Sequence, residues 1–117
     1  MKIKCEIPFD IESRNGVIYT KDSFQENNYI VPLYLGTDEN PISLVSRSCD
    51  VDVLNDKLEV KADINDESLE SFISLASFAP RCICELSNNK VINAKITSID
   101  LVPTNECAIN SKCKIEK

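Results

Sequence analysis

Ser71, Ser74 and Ser77 recur every third residue in a stretch otherwise rich in Leu, Phe, Ile and Ala. A serine hydroxyl becomes a nucleophile once a neighbouring base removes its proton. The chain contains no histidine, which takes away the commonest such base, the usual activator of a cysteine and the best nitrogen ligand for zinc. On chemistry alone these serines read as filler on or just after a helix, and no base is identifiable near them.

Six cysteines offer a second chemistry. Cys82-Ile83-Cys84 with Cys107 and Cys113 could supply four thiolates, but structural zinc sites usually present their cysteine pairs on turns, and this pair falls in the middle of a strand pattern. Small buried thiols are the expectation instead. The opening MKIKCEIPF has no apolar core of signal-peptide length, so synthesis inside a cell and reduced cysteines are expected. Asp50, Asp52, Asp56, Asp63, Asp66 and Glu67 form an acidic set without the ligand spacing or central glycine of a calcium loop, and read as a solvated hairpin face. No metal and no cofactor are expected. The formal charge of −6, with no cluster of Lys and Arg, argues against nucleic acid or an anionic membrane as the main partner. No stretch approaches the length of a membrane span.

The elements that would position these groups are mostly strands. Ile3, Cys5 and Ile7 alternate with Lys2, Lys4 and Glu6 in an opening strand closed by Pro8. A polar turn at Ser13-Arg14-Asn15-Gly16 leads into a short β run through Tyr19. Thr20 then caps one or two helical turns whose Phe24 pins them to the core. Tyr29 to Leu35 is apolar almost throughout and predicts a strand buried on both faces, with Pro32 at an edge or a bulge.

The stretch from Pro32 to Ile64 organises the rest. After the turn-rich Gly36 to Pro41, Cys49, Val51 and Val53 alternate with Asp50 and Asp52. Leu58, Val60, Ala62 and Ile64 alternate with Lys57, Glu59, Lys61 and Asp63. Asn55-Asp56, two residues that tolerate positive φ, make the tip of this antiparallel ribbon. Beyond it Leu69, Phe72, Ile73 and Ala76 fall at helical spacing, predicting one helix that ends before Pro80. Cys82, Cys84 and Leu86, a turn at Ser87-Asn88-Asn89, and Ile92, Ala94 and Ile96 predict a second hairpin. The inward phase then switches to Ile99 and Leu101, which places a bulge near Thr97-Ser98. The fold expected is mainly β: a small β-barrel or bent antiparallel sheet with one or two short helices. With 117 residues it makes a single domain, in which 105–117 forms a last strand or an extended arm.

The order of segments resembles the prohead, or capsid maturation, proteases of tailed phages. The likeness is carried by Asn15-Gly16-Val17-Ile18-Tyr19-Thr20, the apolar Val31-Pro32-Leu33-Tyr34-Leu35, a polar loop leading to Pro41-Ile42, the hairpin, the helix, and Ile99-Asp100-Leu101-Val102-Pro103. It extends from Asn15 to about Ala108. In that family the loop after the apolar strand reads Asn-His-Asp, and a serine nucleophile follows in an S-x-G-F-like element. Here Gly36-Thr37-Asp38 occupies the first slot, so Thr37 stands where the family keeps its histidine. Ser77-Phe78-Ala79-Pro80 is the better match to the second and Ser74 the next, with alanine replacing the glycine.

The resemblance therefore implies a prohead-protease-like fold with degenerate catalytic slots, since threonine cannot draw a proton from serine at neutral pH. It further implies a virion structural role, as an auxiliary or decoration subunit that binds the major capsid protein and is not an enzyme, with self-association left open. Recognition would use Gly36, Thr37, Asp38, Glu39 and Asn40, the tip Asn55 and Asp56, and the terminal segments. Two other readings stay open. One is an active maturation serine protease in which Asp38 or a lysine replaces the histidine; the other is a cytoplasmic phage protein that binds a host factor.

Overall fold

The computed structural model describes residues 2–12, 16–36, 41–65, 71, 76–103 and 112–116. Seven strands run in chain order as β1 (Lys2–Pro8), β2 (Asn28–Gly36), β3 (Pro41–Val53), β4 (Lys57–Asp63), β5 (Ala76–Ser87), β6 (Lys90–Pro103) and β7 (Lys112–Glu116). They hold 74% of the described residues and form one sheet in the order β5-β6-β2-β3-β4-β1-β7. All neighbours are antiparallel except β2 and β6, which run parallel through Leu33↔Ile99 and Leu35↔Leu101. The sheet curls into a half-barrel, bringing residues of β5 within 8 Å (Cα to Cα) of β1 and β7 at its far side. The chain is thus mainly β, as the alternating pattern predicts.

The core follows from that alternation. In β1, β3 and β4 the side chains of Cys5, Cys49, Val51, Leu58 and Val60 are fully buried, while the residues between them face outward. Each Leu or Val so buried stabilises the fold by about 1.5–3 kcal/mol. On the outward face the direct pairs Lys4↔Lys61 and Glu6↔Glu59 oppose like charges. Diagonal contacts resolve them, Lys4 meeting Glu59 at 3.5 Å and Lys57 meeting Glu6 at 3.0 Å, while Lys61 meets Glu59 along β4 at 3.3 Å.

The connection from β1 to β2 closes one mouth of the curl. Thr20 precedes a single 3-10 turn at Lys21–Ser23, in which Ser23 Oγ accepts the Thr20 backbone N–H at 2.9 Å. Phe24 stacks on Phe9 and on Tyr19, each at 5.9 Å between ring centres, the pinning expected of it. The Gly16 to Tyr19 run makes isolated bridges at Ile18 in place of a strand.

Two expectations are corrected. Ala76–Pro80 is the root of β5, so no helix continues to Pro80; Ser71 is helical, and the remainder of 66–75 lies outside the described residues. Ala76 and Phe78 face the core and pair with Pro103 and Leu101, a distant partner that helical spacing does not reveal. Pro80 is tolerated because β5 is an edge strand, where a missing N–H costs no ladder bond. β2 is not buried on both faces, since Ile30 is 63% exposed; only one side of the curled sheet is covered there. Pro32 does lie at a register shift between Val31 and Leu33, the bulge alternative. The C-terminal stretch supplies a strand, β7, paired with β1.

Candidate functional site

Gly36, the described residue of the first slot compared above, and Ser77, in the second, lie at one end of the sheet. Ser77 pairs with Val102 across β5 and β6, and Leu35 pairs with Leu101 across β2 and β6. Gly36, at the end of β2, therefore stands level with Ser77, with β6 between them. Two strand spacings put their backbones about 10 Å apart. Gly36 pairs with Pro41, which fixes both ends of the intervening loop; Thr37, Asp38, Glu39 and Asn40 lie outside the described residues, as does Ser74.

Ser77 is the second residue of β5, next to the end of its ladder with β6, and is 1% exposed, whereas the sequence places it on or just after a helix. In this conformation its hydroxyl has almost no contact with solvent. Its surroundings are polar: Ser98 and Asp100 are also buried, and Arg81 Nη2 donates to Asp100 Oδ2 at 2.5 Å. This ion pair ties β5 to β6 one step below Ser77, through the pairs Ala79↔Asp100 and Arg81↔Ser98. The Asp100–Arg81 link was not signalled by the local pattern, because an aspartate in an apolar strand and an arginine after a proline reveal their contact only once the register is known.

Asn55 and Asp56 are exposed at the β3–β4 tip. Neither has positive φ, however; among the described non-glycine residues that geometry belongs to Asp10, Asn88, Asn89 and Asn93. The tip is held by tertiary bonds in place of turn twist. Lys21 Nζ donates to Asn55 Oδ1 at 2.7 Å, and the Asp56 carbonyl accepts the Phe9 N–H at 2.9 Å. Asn55 and Asp56 thus form a fixed knob, remote in the chain from the Gly36 loop.

The cysteines divide by depth. Cys5 and Cys49 are core thiols, Cys82 is half-buried and Cys84 is exposed, the last a departure from the expectation of burial because the outer part of β5 projects beyond the core. Burial, with a smaller contribution from Asp50, pushes the Cys49 thiol up to about 12. Burial likewise, then the nearby Cys84, pushes Cys82 up to about 12. These are inert thiols at neutral pH. Among the acidic residues, Asn28 Nδ2 donates to Asp50 Oδ1 at 2.6 Å and to Asp52 Oδ1 at 2.7 Å. Among the described residues no three His, Cys, Asp or Glu side chains converge as a metal site would need.

No protein-family model, curated protein or solved structure matches the chain.

Proposed function

We propose that the protein is a phage virion component, an auxiliary or decoration subunit that binds the major capsid protein on a protease-like scaffold without a working catalytic site. The observations that support this reading are that Gly36, the described start of the first slot, stands level with Ser77 across β6, that Thr37 follows Gly36 in the sequence in place of histidine, and that Ser77 is 1% exposed. A scaffold of that kind acts through its surfaces, because fold and site are separable. The Gly36 to Pro41 loop and the fixed Asn55-Asp56 knob are the contact points, with the terminal segments beside them.

The test is co-sedimentation of the purified protein with mature capsids. Pelleting with the shells, weakened when Gly36 to Pro41 is shortened or when Asn55 and Asp56 are replaced by alanine, supports the proposal; a protein that stays in the supernatant ends it. Cleavage of capsid or scaffold protein that disappears in a Ser77→Ala variant would establish the maturation protease in its place.

A further inference from the structure

The sheet has two edges of opposite character. β7 is five residues long, and its sequence Lys112-Cys113-Lys114-Ile115-Glu116 places charge at three of them, the usual means of keeping an edge from pairing with another chain. β5 runs for twelve residues. Its root closes against β1 and β7, but past Pro80 it carries Arg81-Cys82-Ile83-Cys84-Glu85-Leu86-Ser87, with Ile83 70% and Leu86 60% exposed. They lie on opposite faces of the ribbon, since strand side chains alternate. An open backbone edge with apolar side chains exposed on both faces is a template for strand addition.

The edge is also self-complementary. When two copies of one strand pair antiparallel about a two-fold axis, opposed residues share a face, so the axis must pass through a residue. Centred on Glu85 the pairing sets two carboxylates against each other, and centred on Cys84 it sets Ile83 against Glu85. Centred on Cys82, it sets Ile83 against Arg81. Centred on Ile83, it places Ile83 against itself, Arg81 against Glu85 of the second copy, Cys82 against Cys84, and Pro80 against Leu86. That register alone joins opposite charges and covers both exposed apolar side chains with apolar neighbours.

We propose that the β5 edge pairs with the same edge of a second copy, antiparallel about a two-fold axis at Ile83, to make a homodimer with one continuous sheet. This surface is distinct from the contact points named for the capsid, and the dimer does not depend on that reading.

A residue on the two-fold axis faces itself, so any charge placed there repels its own copy. The experiment is sedimentation velocity on the full chain from micromolar to millimolar concentration, with Ile83→Lys and Ile83→Glu each alone and then mixed. Ile83 is largely exposed, so both variants should keep the wild-type circular dichroism and melting temperature. The wild type should show a concentration-dependent monomer–dimer equilibrium, and each variant alone should dimerise at least about tenfold more weakly. Mixing the two variants should restore a heterodimer, because a lysine then faces a glutamate. A wild type that is monomeric throughout overturns the proposal, even if it accepts a strand from another protein. So does a dimer that either single variant leaves intact, or a mixture that fails to associate.

Discussion

The ribbon of β1, β4 and β3 keeps one register through every pair it makes with β4, whereas the β5–β6 hairpin changes register twice. In the ribbon, inward residues are buried without exception and outward charges settle into diagonal ion pairs. In the hairpin, one extra residue on β6 at Thr97 and another at Asn93 bend the ladder, and Asn93 has a φ of 53°. The bends leave the far end outside the core, so burial falls away along β5 from Phe78 to Ile83. The difference separates two uses of the same ladder chemistry: unbroken alternation holds the fold together, and a broken one carries apolar residues out to where another molecule can meet them.

Substitutions should divide along that line. The largest effect is expected at the root of β5, where Phe78→Ala should lower unfolding free energy by about 3–5 kcal/mol, with Leu58→Ala in the ribbon costing about 2–5 kcal/mol, both read from urea denaturation. Both side chains are fully buried. If either costs under about 1 kcal/mol, the core is placed wrongly.

Alkali should act on the buried thiols. Below pH 9.0 Cys49 and Cys82 are protonated both in the folded protein, where burial holds them near 12, and in the unfolded chain. Above it the unfolded chain ionises first, so their contribution to stability is lost progressively between pH 9.0 and about 12. Urea midpoints across that range should fall, and Cys49→Ser should flatten the slope; an unchanged slope would remove the thiol as its cause. In the native protein at neutral pH an alkylating reagent should label Cys84 well before Cys49.

Smaller effects probe the turn and the exposed tip. Asn88 and Asn89 have φ of 50° and 68°, the geometry of a two-residue hairpin turn that twists with its strands. Asn89→Ala should cost about 1 kcal/mol, while Asn89→Gly should be neutral or slightly stabilising. Least of all, Ile83→Ser should change monomer stability by under about 0.5 kcal/mol. A cost at Ile83 equal to that at Leu58 would erase the contrast between the two regions.

What could be read from the chain follows the same division. The ribbon was legible because Cys49 to Val53 and Leu58 to Ala62 alternate without a break, which sets register and face together. The phase switch from Ile96 to Ile99 likewise revealed the bulge at Thr97. The root of β5 was not legible: Leu69, Phe72, Ile73 and Ala76 match a helical period, and a short apolar run is ambiguous until its partner is known. Nor was the parallel pairing of β2 with β6, whose contacts join residues far apart in the chain. For the candidate site, Thr37 and Ser77 came from the order of segments, whereas the burial of Ser77 and the Asp100–Arg81 pair depend on that non-local pairing. The bulge at Asn93 was hidden because Val91 and Ile92 are both apolar: the expected alternation put Ile92 inward with Ala94 and Ile96, whereas Val91, 1% exposed, takes the inward place.

The most direct test of the account is the composition of purified infectious particles. A polypeptide that acts through its surfaces as a shell subunit should be present in them at a fixed ratio to the major capsid protein, and should remain after a Ser77→Ala substitution. Its absence from finished particles, or loss of particle assembly through that one hydroxyl, would contradict it.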